Sequence, residues 1–448
     1  MAEESSVPAI AVTAAVGAVV LLVILLCSVG KKNRKEDKDD NASEQKEEKT
    51  AVKTEKTSKK TKINLKPKRT QHVPFSHSWS ATTLKGHSAP VLSCDFSPNG
   101  KYLISVSEDR IAMVWNIKDF SQKEHKFTRA NIELDHATKV KFSPDSKAFL
   151  VNLYNGNTIR IFRIGKKEDG TMGNIAATFE FPKKHEAEII DMGIASNGKF
   201  VMTCTGDTSI IIWSIKGEVM ANIDTHQMNN SHAAVSPCGR FVASAGFTPD
   251  VKVWEVCFDK SGNFQEVKRA FELKGHGAAV YSFGFNNDSS RMASVSKDGT
   301  WKFWDTNVRY DLGQDPYLLL TGTLKYKSPC IIELSPDGRT VAIASENSIS
   351  MHNTSDGAEE GSFENVHSAA ITELSFDTLN RYLVSTGDKH IQVFHNIPGY
   401  RATIADLQEK EKKATGQAMR ERIRQQVKDA RSSLDNIINK SVNGVAVS

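Results

Sequence analysis

The chain has 448 residues, and its 39% hydrophobic and 25% charged content is typical of a globular protein with a sizeable core. The net charge of +5 is unevenly placed, because residues 31–70 hold 15 Lys/Arg against 8 Asp/Glu and the remaining residues sum to about −2. Six cysteines without a C-x-x-C pair do not indicate a disulfide framework or a zinc site. We interpret them as free thiols in a reducing compartment.

An apolar segment comes first. Residues 7–30 contain no charged side chain, and a helix of this length rises about 36 Å, enough to cross a hydrocarbon core of roughly 30 Å. A cleaved signal peptide is the competing interpretation, but Glu3 and Glu4 stand where it would carry basic residues. We therefore predict a transmembrane signal-anchor over residues 1–30. The basic residues from Lys31 to Lys35 predict a lumenal N-terminus and a cytosolic remainder.

Residues 31–72 are rich in Lys, Glu, Asp, Ser and Thr and predict a charged, disordered cytosolic tether. Its distal half is almost purely basic. A solvated spacer, a contact with anionic lipid and a contact with RNA or the ribosome are the three interpretations of this half. The candidate contact residues are Lys59, Lys60, Lys62, Lys66, Lys68 and Arg69.

From Leu84 onward the sequence repeats. Leu84-Lys85-Gly86-His87 precedes Trp115 as Leu273-Lys274-Gly275-His276 precedes Trp304, and each His lies 28 residues before its Trp. Two further copies run from His185 to Trp213 and from near His226 to Trp254, and three weaker copies fill the gaps. Seven repeats of short strands separated by turn clusters predict an all-β protein.

The spare strand Ser78–Thr83, which lies upstream of the first repeat, is predicted to complete the last blade. The ring would then close without a covalent link, within a propeller domain over residues 73–397. Deletion of residues 73–84 is expected to unfold it.

The repeats over residues 84–396 resemble WD repeats, which implies a seven-bladed WD-repeat β-propeller. In that family His, Ser/Thr, Asp and Trp form a buried structural network, and its recurrence favours structure over a catalytic triad. The residues assigned to this network are His87, Asp109, Trp115, His185, Asp207, Trp213, Trp254, His276, Ser294, Asp298, Trp304, His367 and Asp388.

Residues 129–138, 228–241, 249–258 and 292–302 resemble a membrane-anchored branch of the WD-repeat family. That resemblance implies a single-pass protein of the endoplasmic-reticulum membrane with a cytosolic propeller. It also implies a role in the unfolded-protein response, through a stress-sensing kinase and the translation machinery. None of this is readable from spacing or composition.

Phosphate-loop, zinc-protease and nucleophile-elbow motifs are absent from the sequence, so we predict a protein-interaction scaffold, not an enzyme. We expect no cofactor, no metal and no small-molecule substrate. Loops of the ring would carry function, and Arg110, Arg291 and Trp301 are candidate protein-binding residues. Packing within a strand is the alternative for Trp301.

After Gly399 the apolar period changes to three and four, which predicts an amphipathic helix over residues 400–440. It could dock on the propeller, form a short coiled coil with a partner or a second copy, or remain a solvated tail. The apolar stripe is Met419, Ile423, Val427, Ala430, Leu434 and Ile437.

Overall fold

The computed structural model describes residues 75–168, 172–325 and 328–445, with side chains through Asn439. Residues 72–448 form one compact unit, separate from residues 1–71. The predicted anchor and tether lie outside the described residues. No helix in the described part of the chain is long and apolar enough to cross a membrane.

The described residues form seven four-stranded antiparallel sheets, which we number as blades 1 to 7. Blades 1 to 6 each take four consecutive strands, from β2–β5 to β22–β25, and blade 7 combines β26–β28 with β1. The strands are β1 (Ser80–Lys85), β2 (Val91–Phe96), β3 (Tyr102–Ser107), β4 (Ile111–Asn116), β5 (Phe127–Asn131), β6 (Ala137–Phe142), β7 (Ala148–Leu153), β8 (Thr158–Lys166), β9 (Met172–Glu180), β10 (Ile189–Ile194), β11 (Phe200–Thr205), β12 (Ser209–Ser214), β13 (Val219–Asp224), β14 (Asn230–Val235), β15 (Phe241–Gly246), β16 (Asp250–Phe258), β17 (Phe264–Lys274), β18 (Val280–Phe285), β19 (Arg291–Ser296), β20 (Thr300–Asp305), β21 (Tyr317–Thr323), β22 (Cys330–Leu334), β23 (Thr340–Ser345), β24 (Ser348–Asn353), β25 (Glu359–Phe363), β26 (Glu373–Phe376), β27 (Tyr382–Thr386) and β28 (His390–His395). Short 3₁₀ turns span Ile117–Ser121 and Tyr310–Leu312.

The first strand of each blade lies innermost, and consecutive inner strands contact one another around the ring from β2 to β26 and back to β2. The second and third strands are buried on both faces, which explains continuously apolar runs such as Ile210 to Trp213. Apolar side chains of adjacent blades form shared clusters, so the core is distributed between the blades. A blade cannot bury its faces alone, which is why the ring must close.

The predicted closure of the ring is confirmed, with a small shift in the bounds of the strand. β1 pairs antiparallel with β28, and Leu84 faces Ile391. Phe75 and Trp79 extend the contact, since Phe75 packs edge-on against Phe394 at 5.8 Å between ring centroids.

The ring has two faces, which we define by their connections. The loop face carries the turns between second and third strands and the connections that lead to each next inner strand. The turn face carries the turns between inner and second strands, and neighbouring turns touch there: Asn197 Nδ2 donates to Gly239 O at 2.9 Å. Gly100 adopts a φ of +66° in one of these turns, a conformation that favours glycine.

The structure divides the predicted C-terminal helix into α1 (Ile397–Lys413) and α2 (Gln417–Val445), with a break at residues 414–416. Buried Ile404, Ile423 and Val427 pack the two helices together. α1 also docks on the turn face, because Asp406 pairs with Arg339 there. Met419 is 62% exposed, so it lies outside the packed stripe.

Candidate functional site: buried networks, central channel and loop face

Blade 1 contains a complete chain of polar contacts at its loop-face end. Trp115 Nε1 donates to Ser105 Oγ at 2.9 Å, and this hydroxyl lies 2.9 Å from His87 Nε2. His87 Nδ1 lies 2.9 Å from Asp109 Oδ2. Because a carboxylate only accepts, Nδ1 carries the proton, Nε2 accepts from Ser105, and every member of the chain is satisfied.

This arrangement is structural and not a hydrolase triad. Ser105 is completely buried, and its oxygen already accepts from an indole N–H. Gly86 explains the glycine before the histidine, since a Cβ there would lie only 2.9 Å from the Trp115 ring. Blade 5 repeats the geometry, with Ser294 2.8 Å from His276 Nε2 and accepting from Trp304 Nε1 at 2.9 Å.

Electrostatics favour a neutral imidazole at these positions. Burial lowers the pKa of His87 and of His276, although Asp109 and Asp298 act against the shift. Burial would raise the pKa of Asp298, but hydrogen bonds from Thr300, Gly277 and His276 bring it down to about 2. The histidines therefore act as bridging groups between a hydroxyl and a carboxylate.

Blades 3 and 7 hold partial versions of the network. His185 Nε2 lies 2.6 Å from Thr203 Oγ1, which accepts from Trp213 at 2.7 Å, whereas Asp207 bonds to Thr205 and not to the histidine. His367 Nε2 lies 2.8 Å from Ser385 Oγ. Asp388 is 3.2 Å from His367 Nδ1 but outside good hydrogen-bonding geometry. The sequence analysis did not include Thr203 and Ser385, although each follows its histidine by 18 residues.

Blade 4 corrects the predicted role of His226. Its side chain is 78% exposed, whereas the next residue, Gln227, is fully buried and donates to Ser244 O at 3.1 Å. Ser244 Oγ donates to Gln227 Oε1 at 3.3 Å, so an amide stands where other blades use imidazole. Trp254 is buried as predicted. The 17-residue separation of Gln227 and Ser244 was the available signal.

In blade 2 an aspartate takes the place of the histidine. Asp135 accepts from the side chain of Asn155 at 2.8 Å and from Gly156 N at 2.8 Å. Phe149 and Phe162 stack at 5.1 Å where other blades place a tryptophan. The sequence placed Asn155 near the usual aspartate, but not its bond to Asp135.

The three candidate binding residues separate in the structure. Arg110 is exposed on the loop face, with a φ of +64°. Arg291 begins β19 at the turn face and pairs with Asp305 at 2.6 Å. Trp301 as a binding residue is wrong: it is completely buried in the third strand of blade 5 and packs against Gly322.

The loop face instead exposes apolar side chains that the sequence analysis did not select. Leu134 is 92% exposed and Met228 74%, and both have positive φ, a conformation that costs free energy for non-glycine residues. Phe247 and Tyr154 lie in neighbouring turns, 58% and 48% exposed. We call these four residues the loop-face patch. An exposed apolar cluster on loops is typical of a protein-binding surface.

Charged side chains line the centre of the ring. Lys139 on β6 pairs with Asp191 on β10 at 2.9 Å, and His232 on β14 lies 3.0 Å from the same carboxylate. Lys141 on β6 reaches Asp95 on β2 at 3.4 Å. These ion pairs connect adjacent inner strands.

Glu333 on β22 is an exception in this channel. Burial raises its pKa to about 8, with further upward effects of Glu373 and Asp95 against the opposing effect of Lys141. Its carboxyl is therefore mostly protonated at neutral pH. No group of side chains in the described ranges could hold a metal ion.

The repeated networks and the closed ring define a WD-repeat β-propeller. The WD domain, G-beta repeat family matches residues 79–116, 176–214, 267–305 and 360–395. Proteins of this family are typically non-catalytic scaffolds.

Curated relatives narrow the assignment. Transducin beta-like protein 2 of Homo sapiens is 54% identical over 83% of this chain and 84% of its own length. The Mus musculus protein of that name is 53% identical over the same shares. A guanine nucleotide-binding protein subunit beta of Oryza sativa subsp. indica is 22% identical over 51% of this chain and 59% of its own length. The chain belongs to the transducin beta-like protein 2 family.

Proposed function

We propose that this protein is a membrane-anchored interaction scaffold of the endoplasmic reticulum, with its propeller in the cytosol. The observation that carries the scaffold role is the division of labour within the ring. Its buried His, Ser/Thr, Asp and Trp side chains are engaged in holding blades together, whereas the loop-face patch contributes nothing to the ring. A surface that is apolar, exposed and held at a conformational cost favours a binding role.

The membrane part of the proposal rests on residues 7–30 and their basic flank. Uncharged for 24 residues and followed by Lys31, Lys32, Arg34 and Lys35, this segment has the length and charge bias of a span with a cytosolic C-terminal side. The assignment to the endoplasmic reticulum rests on the family resemblance. Tethering would raise the effective concentration of a soluble partner near the membrane.

For partners, the resemblance supports a stress-sensing kinase and components of the translation machinery in the unfolded-protein response. We assign their docking to the loop-face patch. α1 occupies the turn face and leaves this patch uncovered among the described residues.

Proximity labelling in cells, with the labelling enzyme fused to the full chain, tests this function. We expect Leu134→Asp combined with Met228→Asp to remove the main partners. The matched control is Leu379→Asp, since Leu379 is 60% exposed on the turn face. An unchanged partner set in the loop-face variant would refute the assignment. A chain without residues 1–30 shows how much the anchor contributes.

An RNA- or ribosome-binding adaptor is the second candidate, favoured by the +7 charge of residues 31–70. Its contacts would be the basic residues from Lys59 to Arg69. Binding to a ribosomal or RNA probe should then fall steeply with salt, because neutralised phosphates release counterions. Binding that persists at high salt, or that needs the propeller, would exclude this candidate.

A further inference from the structure

The outer strand of blade 5 differs from the other six outer strands. Each of the others contains at least one charged residue, whereas β21 reads Tyr-Leu-Leu-Leu-Thr-Gly-Thr. Tyr317, Leu318 and Leu319 are 59%, 45% and 49% exposed in consecutive positions. Leu312, in the 3₁₀ turn just before the strand, is 68% exposed. Elsewhere the outer strands expose large apolar residues one at a time, as at Phe127, Phe179 and Val219.

The edge of β21 is also open. β21 ends its sheet and pairs only with β20 among the described strands. Proteins normally protect such an edge with lysine, proline or a covering segment, because free N–H and C=O groups accept another strand. An uncharged, apolar and open edge without these protections indicates an interface.

We propose that β21 pairs antiparallel with β21 of a second copy, across a two-fold axis near Leu320. Identical strands satisfy this symmetry, since each offers the other the same uncharged surface. The strand flanks support the direction of pairing. Antiparallel pairing brings Asp315 of one copy toward Lys325 of the other, while parallel pairing would place like charges together.

Both flanking charges already have partners within the chain, so pairing leaves no charge uncompensated. Asp315 lies 3.9 Å from Lys274, and Lys325 lies 2.9 Å from Glu359. The outer strand also lies on the circumference of the ring. Two rings can therefore meet edge to edge while the loop-face patch of each stays open, which makes the dimer independent of the partner that the patch binds.

Photo-crosslinking of the full chain in cells tests the pairing. p-Benzoylphenylalanine replaces Leu319, and two differently tagged copies are expressed together. We expect an adduct of twice the chain mass that carries both tags, with its link inside residues 312–325. The same probe at Val219, on the outer strand of blade 3, serves as the control and should give no such adduct. Adducts with other proteins alone, or none at all, would overturn the proposal.

A charge on the edge provides the second test. Leu319→Lys should reduce co-purification of the two tagged copies at least tenfold, because the substitution places two lysines close to the two-fold axis. Val219→Lys should leave co-purification unchanged, and equal thermal midpoints show that both variants fold. If Leu319→Lys folds and the copies still co-purify, the pairing does not exist.

Discussion

The hydroxyl of Ser105 serves two partners at once, which makes it the residue on which blade 1 depends most. It accepts from Trp115 and donates to His87, and both partners are buried. Ser294 has the same role in blade 5. A buried donor or acceptor without a partner costs more than the net gain of a typical hydrogen bond.

Replacement of this hydroxyl is the first prediction. Ser105→Ala leaves the Trp115 indole N–H and His87 Nε2 without partners and should lower the free energy of unfolding by about 1–3 kcal/mol. Urea unfolding followed by tryptophan fluorescence measures the change. Ser355→Ala, in an exposed turn, is the matched control and should be neutral. Equal losses in both variants would contradict a special role for Ser105.

The second prediction concerns pH. Burial lowers the pKa of His185 to about 4, against the opposing effect of Asp207, whereas an unfolded histidine titrates near 6.5. Because the unfolded chain binds the proton first, this residue contributes stability above about pH 6.5. That stability is lost as the pH falls towards 4 and amounts to about 2–3 kcal/mol.

His185→Gln should therefore flatten the loss of stability between pH 6.5 and 4, as an amide does not titrate there. Gln227 shows that this fold accepts glutamine at the equivalent position in blade 4. Unfolding curves at several pH values measure the slope. His226→Gln changes an exposed imidazole and should leave the slope as it is. Identical slopes in wild type and His185→Gln would refute the prediction.

Among the elements, β1 has the largest effect for its length, because it supplies the outer strand of the last blade. Deletion of residues 73–84 should abolish cooperative unfolding or lower its midpoint strongly, since blade 7 then loses β1 and its neighbouring aromatic contacts. Differential scanning calorimetry measures the transition. Deletion of residues 1–71 is the control and should leave the midpoint unchanged. An unchanged midpoint without β1 would show that closure is dispensable.

The helical hairpin is held by a small core and should detach without unfolding the ring. Val427 is buried between α1 and α2, so Val427→Asp should release α2 and expose it to protease. The midpoint of the propeller should not change. Lys428→Asp, an exposed change on the neighbouring position, is the control. Protection of α2 in the Val427 variant would contradict this account of the hairpin.

At the scale of the whole ring, the central channel couples inner strands through charge. Burial and the acidic neighbours raise the pKa of Glu333 to about 8, whereas an unfolded glutamate titrates near 4.3. A group with a raised pKa contributes stability at low pH and loses it as the pH rises towards 8.

Glu333→Gln should therefore be more stable than wild type by about 1–3 kcal/mol at pH 8, with the gain vanishing near pH 4. Chemical unfolding at both pH values is the measurement. The exposed Glu364→Gln provides the control and should show no such dependence on pH. A gain that is equal at both pH values would indicate a packing effect and not a titration.

The period of the sequence was sufficient for the ring, because each repeat carries its own turn residues and its own His-to-Trp spacing. It also led to the closing strand. Three features needed the structure. Gln227 does not fit a histidine pattern, the charges of the channel meet only when inner strands from different repeats are adjacent, and the burial of Trp301 depends on Gly322 in the next strand.

The shared final blade also has a meaning in time. A ribosome delivers residues 80–85 early, yet their partner β28 is made more than 300 residues later, so β1 must wait through the synthesis of the whole domain. When β28 emerges, α1 and α2 are still being delivered behind it. The C-terminal hairpin thus gives the closing strands a length of chain beyond the ring, so that closure and release from the ribosome become separate events.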